Sequence, residues 1–260
     1  MAIIETDVDG RGAATIWLNR PEVHNAFDDT LIATLTEELR RVEADAQIRV
    51  VVLAGRGKSF SAGADLGWMK RMAGYTEAEN RRDAEALAEL LRTLNSLKKP
   101  TIAAVQGNAY GGGVGLVACC DIAIAVEAAS FALTEVRLGL TPATISPYVV
   151  AAIGERQARR YFLTAEAFNA REAQRIGLVH QTCKPADLPL IVTQIIDSLV
   201  ACGPAAQSAA KDLIRRVGRG PVDAEMIADT ARRIAEIRVS SEGREGIAAF
   251  LEKRKARWRE

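Results

Sequence analysis

Apolar and β-branched residues run without a break through Ala13-Ala14-Thr15-Ile16-Trp17-Leu18, which predicts a strand ended by the Asn19-Arg20-Pro21 turn. Beyond it Leu31, Ile32, Leu35, Leu39 and Val42 recur at helical spacing, and Asp28 or Asp29 can cap the helix they define. The run Val50-Val51-Val52-Leu53 shows no polar alternation, as expected of a strand covered on both faces, and Gly55 and Gly57 close it. After an irregular segment from Ser59 to Asp65, the stretch from Thr76 to Leu97 reads as a long amphipathic helix. Ile102-Ala103-Ala104-Val105 is a third buried strand, stopped by Gly107. The next helix opens in Gly111-Gly112-Gly113 and runs toward Cys120, and Ile122-Ala123-Ile124-Ala125 follows as another strand.

Strands alternating with helices predict an α/β fold with largely parallel pairing. From about Pro185 the strand signals fade, and helical patterns follow at Leu188 to Val200, Ala205 to Val217, Ala224 to Val239 and Gly243 to Arg257. The chain therefore divides into an α/β core, residues 1–195, and a helical C-terminal region, residues 196–260. No internal repeat or low-complexity linker separates them, so the helices pack on the core or on a neighbouring subunit.

Composition narrows the chemistry. A hydrophobic share of 48% and a charged share of 26% over 260 residues are those of a globular protein with a sizeable core. With 34 Lys+Arg against 33 Asp+Glu, no overall field favours nucleic acid or a membrane surface. The basic cluster Lys253, Arg254, Lys255, Arg257 and Arg259, flanked by Glu252 and Glu260, reads as a solvated helix end. Cys119, Cys120, Cys183 and Cys202 have neither metal-ligand spacing nor disulfide-scaffold density, so reduced thiols in a cytoplasmic protein are expected. The N-terminus lacks the pattern of a secretion signal, and no apolar run reaches the length of a membrane span. With only His24 and His180, a His-rich metal site or a Ser/His/Asp triad has little to build on. Metal-free carboxylate chemistry is the better starting point.

Three segments each follow a predicted buried strand: Phe60 to Leu66, Gly107 to Leu116 and Leu133 to Leu140. Loops at strand ends commonly build the sites of α/β proteins. In this order and at these separations the three resemble the enoyl-CoA hydratase/isomerase, or crotonase, family. The likeness extends from Asn19-Arg20-Pro21 and Asn25-Ala26 to Ala173 and Gly177-Leu178-Val179. It implies a spiral of β-β-α turns that binds acyl-CoA, and a helical C-terminal region that assembles a homotrimer or homohexamer. No cofactor is implied, since coenzyme A is part of the substrate. The string Gly113-Val114-Gly115-Leu116-Val117, with Thr134 to Leu140 and Ile145-Ser146-Pro147-Tyr148, is similar to methylglutaconyl-CoA and carboxygeranoyl-CoA hydratase-like members of leucine and acyclic terpene breakdown.

The resemblance assigns the main-chain N–H groups of Ala64 and Gly112 to an oxyanion hole for the thioester carbonyl, and Glu135 to proton transfer. It gives the Ala62 carbonyl a contact to adenine, and wraps the loop of Ala62, Gly63, Asp65 and Leu66 around the pantetheine arm. Glycines suit such a place because a ligand atom can approach main-chain N–H groups that the first turn of a helix leaves unpaired. Asp65 can also cap the next helix, Asp121 matches a structural position, and Arg137 could pair with Glu135 or meet a substrate carboxylate.

One position departs from the pattern. In the family two glutamates hold the water that adds to the double bond, and the first of them falls at Gly115, which is kept here as a position facing substrate. Either Glu135 works alone, another residue supplies the second function, or hydration has given way to other chemistry. Thr144 and Ser146 could hold water, although turn-capping hydroxyls are the plainer reading. The leading expectation is hydration of a 2-enoyl-CoA, with a branched or carboxylated acyl chain as the candidate that the subgroup likeness adds. Against it stand a double-bond isomerase working with one carboxylate and a non-catalytic binder of acyl-CoA or RNA; near-neutral charge disfavours RNA.

Overall fold

The computed structural model describes residues 2–218 and 220–259, so Glu260, the expected flank of the basic cluster, lies outside the described residues. An antiparallel hairpin of β1 (Ile4–Val8) and β2 (Ala13–Leu18) comes first, then helix α1 (Asp29–Ala44). Three turns of similar build follow. The first holds β3 (Val50–Gly55), β4 (Ser59–Ser61), α2 (Leu66–Met72) and α3 (Glu77–Ser96). The second holds β5 (Thr101–Val105), β6 (Asn108–Tyr110) and α4 (Gly112–Cys119), and the third β7 (Ile122–Val126), β8 (Ser130–Ala132) and α5 (Ser146–Thr164). Then come β9 (Phe168–Asn169), α6 (Ala170–Arg175), β10 (Gln181–Cys183), α7 (Leu188–Val200), α8 (Pro204–Val217), α9 (Ala224–Val239) and α10 (Ser241–Leu251).

Each turn gives its first strand to a six-stranded sheet, ordered β1-β2-β3-β5-β7-β10, and its second to a four-stranded sheet, ordered β4-β6-β8-β9. From β2 onward the large sheet is parallel throughout. This is the expected β-β-α spiral. Its parallel strands are buried on both faces, which is why β3 and β5 are apolar without alternation. Leu31, Leu35, Leu39 and Val42 of α1 are fully buried against this core. Each such aliphatic side chain contributes roughly 1.5–3 kcal/mol by leaving water. Asp28 caps α1 by accepting the Leu31 N–H at 2.8 Å, and a reciprocal Thr76–Glu79 capping box opens α3.

Some expectations change. The segment from Ser59 to Asp65 is not wholly irregular, since it contains β4 and the cap of α2. The last helix stops at Leu251 rather than near Arg257, and a short 3₁₀ turn occupies 257–259. Residue 195 lies inside α7, whose Leu188, Val192 and Ile196 belong to the core. By contrast α8 buries no residue, α9 buries Met226 and α10 buries Ala249. Among the described residues no single helix is long and apolar enough to cross a membrane.

Asp121 joins the two regions, in line with its expected structural role. Its Oδ2 accepts the Thr101 N–H at 2.7 Å, the Thr101 hydroxyl at 2.9 Å and the Lys211 ammonium at 2.6 Å, and Lys211 also reaches the Lys99 carbonyl at 2.9 Å.

Candidate active site

Strands β4, β6 and β8 are parallel neighbours, so their carboxyl ends deliver three loops to one edge of the small sheet. Ala62 to Asp65 leave β4, Gly111 to Gly113 leave β6, and Leu133 to Glu135 leave β8. The register pairs Tyr110 with Ala132, and the Gly111 N–H donates to the Ala132 carbonyl at 2.9 Å. Segments far apart in sequence thus meet through the main-chain ladder.

Gly111 is the meeting point. Its φ of 50° and ψ of −118° suit only glycine. A Cβ there would lie 3.2 Å from Glu135 Oε1 and 3.8 Å from the Gly63 Cα. Beside it, a Cβ on Gly112 would touch the Phe27 ring at 3.1 Å, and one on Gly113 would strike the Ser61 carbonyl at 2.9 Å. Gly113 therefore serves tight packing of helix on strand, whereas Gly111 and Gly112 line the meeting of the loops. Gly112 begins α4, so its N–H has no partner within the helix.

The Ala64 amide is set by Phe27. An isolated parallel bridge joins the two residues: the Phe27 N–H donates to the Gly63 carbonyl at 2.6 Å, and the Asp65 N–H donates to the Phe27 carbonyl at 2.8 Å. That pattern uses the groups on either side of Ala64 and turns the Ala64 N–H away from Phe27. Asp65 caps α2, its Oδ1 accepting the Gly67 and Trp68 N–H groups at 2.8 and 3.1 Å. These bonds, with Arg20 nearby, hold its carboxyl below the usual range. Arg20 braces the loop by pairing with Asp28 at 2.8 Å and Asp65 at 3.4 Å. Leu66 projects outward, 75% exposed. Buried Asn25 fixes the underside: it accepts the Arg20 N–H and donates to the Arg56 and Ser59 carbonyls.

Glu135 starts a 3₁₀ turn, Glu135–Leu138. Burial raises its pKa above the ordinary glutamate value, and its own main-chain N–H pulls weakly the other way. Its Oε2 is buried and takes no hydrogen bond among the described residues. A buried carboxyl that holds its proton more tightly than usual and has one oxygen free is suited to exchanging protons with a bound molecule.

The ion pair considered between Glu135 and Arg137 does not form. Two positions apart on a turn of three residues their side chains diverge, and Arg137 is exposed with no acidic partner among the described residues. The Ser146 hydroxyl donates to the Ala143 carbonyl at 2.8 Å, as a turn cap does. Gly115, expected to face substrate, is covered: a Cβ on it would meet Ile145 well inside contact distance and Leu91 Cδ2 at 3.4 Å. Phe27 and Ile145 were not singled out from sequence. Phe27 follows the Asn25-Ala26 signature directly, which is the one clue to it; Ile145 heads the string Ile145-Ser146-Pro147-Tyr148, but nothing there points to its contact with Gly115. No cluster of three His, Cys, Asp or Glu among the described residues could hold a metal. A cleft of about 500 Å³ lies beside Arg156, Arg160 and Arg175, away from these loops.

A model of the enoyl-CoA hydratase/isomerase family matches residues 9–260, and the chain belongs to that family. It is similar to an enoyl-CoA hydratase from Shewanella pealeana, with a TM-score of 0.96 and 43% identity over 99% of this chain and 96% of that one. Enoyl-CoA hydratase AKT6-1 of Alternaria alternata is 36% identical over 95% of this chain and 81% of its own. The 2,3-dehydroadipyl-CoA hydratase of Escherichia coli is 35% identical over 91% of each.

Proposed function

We propose that the chain hydrates the 2,3 double bond of an enoyl-CoA thioester, with Glu135 as the proton-transfer group and the N–H groups of Ala64 and Gly112 as donors to the thioester oxygen. The observation that carries this reading is the carboxyl of Glu135 against Gly111, at the head of α4, with one oxygen free and its pKa raised by burial. As the water oxygen bonds to Cβ, Glu135 takes a water proton and the π electrons move toward the thioester oxygen. Two main-chain donors and the positive end of α4 stabilise that oxygen. Cα then takes the proton from Glu135, the carbonyl re-forms and the carboxylate is restored. Ala62, Gly63, Asp65 and Leu66 hold the coenzyme A portion in this reading, and no further cofactor takes part.

For the acyl group we propose a branched or carboxylated chain of the methylglutaconyl type. The name of the Escherichia coli relative, which denotes a dicarboxylic acyl group, supports it, as does the exposed guanidinium of Arg137, close to Glu135 in sequence and without an acidic partner among the described residues. The apolar outer faces of α8 to α10 support assembly as a trimer or a pair of trimers.

The test is Glu135→Gln, assayed by loss of conjugated-enoyl absorbance with crotonyl-CoA and with methylglutaconyl-CoA. Turnover should fall by about 10²–10⁴-fold with KM little changed. Full turnover in the variant overturns the assignment. A second reading, migration of a 3-enoyl double bond to the 2-position, is favoured by the absence of a carboxylate at Gly115. It is recognised by a gain rather than a loss of that absorbance from a 3-enoyl-CoA.

A further inference from the structure

Gly111, which precedes α4, and Gly115 within it are joined by the main chain, the Gly115 N–H donating to the Gly111 carbonyl at 3.3 Å. The first is covered by Glu135, with Oε1 3.2 Å from a Cβ on residue 111. The second is covered by Ile145, whose Cγ2 stands inside contact distance of a Cβ on residue 115 and whose own Cβ would be 3.0 Å from it. Because the Ile145 Cβ is itself so close, turning its side chain about χ1 does not clear the place.

Nor can the main chain of Ile145 readily withdraw. Its carbonyl accepts the Tyr148 and Val149 N–H groups, both at 3.1 Å, at the head of α5, and the residue is 2% exposed. Leu91, fully buried, closes the other side.

We infer that Ile145 is a specificity-determining residue of the active site: its side chain occupies the start of the path that a residue-115 side chain would take toward the reacting carbons, and so holds the site to one acid. This rests on Glu135 as the proton-transfer group. Glu135 then handles both protons of hydration, that of the attacking water and that delivered to Cα. An apolar wall stands where a second carboxylate would share the task.

The experiment compares the wild type with Gly115→Glu, Ile145→Ala and the double variant, recording crotonyl-CoA hydration against pH together with thermal unfolding. With Ile145 in place, Gly115→Glu should lose at least about tenfold in kcat/KM and unfold at a lower temperature. In the double variant the unfolding temperature should return to that of Ile145→Ala, and kcat/KM should exceed that of Ile145→Ala by about tenfold, the low end of a general acid–base contribution. Its pH profile should also gain a second carboxylate ionisation that the wild type and Ile145→Ala lack. Wild-type stability and a second ionisation in Gly115→Glu alone would overturn the inference, as would a double variant with the rate and single ionisation of Ile145→Ala. Should the glutamate variants fail to fold, Gly115→Ala and Gly115→Ala/Ile145→Ala read the same contact: an unfolding temperature lowered in the first and recovered in the second supports it, and no loss in the first refutes it. Failure of the underlying reading is separate, since it shows as retained turnover in Glu135→Gln.

Discussion

Glu135 is charged at a cost to folding. Burial lifts its folded-state pKa above that of an unfolded glutamate, about 4.3. Below that pH both states are protonated and the site favours folding in full; as pH rises through the folded-state pKa, that contribution is lost. Glu135→Gln removes the penalty, so the variant should melt about 2–4 °C above wild type at pH 8 and show no advantage near pH 4. Equal melting at pH 8 would mean that the carboxylate is better solvated than its surroundings imply. The role proposed for Glu135 was suggested only by the string around it, because a lone glutamate on a loop carries no pattern. The missing acid at Gly115 was equally visible. What stands in its place was not, since Ile145 is thirty positions downstream and reaches it only by folding of α5 onto α4. The imagined Glu135–Arg137 pair failed for a local reason, the tight pitch of a 3₁₀ turn.

Among elements, legibility followed length and burial. The buried strands β2, β3, β5 and β7 announce themselves as unbroken apolar runs, and α1 and α3 through caps and spacing. The strands that aim the reactive loops, β4, β6 and β8, have three residues each, too few for an alternation to register. The sequence therefore exposed the loops while hiding the sheet that gathers them. Asp121 is the clearest inter-element tie. Lys211, only 10% exposed at its side chain, is held by it and by the Lys99 carbonyl. Replacing Lys211 by Met should cost about 1–3 kcal/mol and speed proteolysis at the 201–203 junction between α7 and α8. An unchanged melting temperature and cleavage rate would show that α8 is held by other contacts.

In the whole molecule, the division between core and C-terminal helices is one of covering rather than of sequence character. Helix α7 packs into the core, while α8 to α10 present Ile214, Ile227, Val239 and Phe250 outward, the last 82% exposed. Exposed apolar surface of this kind supports the assembly proposed above. Light scattering should give a mass that is a multiple of three chains, and a single-chain mass at micromolar concentration would refute the proposed assembly.

Both sheets have a strand order that never runs backward along the chain: 1-2-3-5-7-10 in one and 4-6-8-9 in the other. Every newcomer therefore docks on an edge that already exists, and no finished pair has to part to admit a later arrival. A polypeptide emerging slowly from the ribosome can build this barrel-less coil by apposition alone, closing each course before the next is laid.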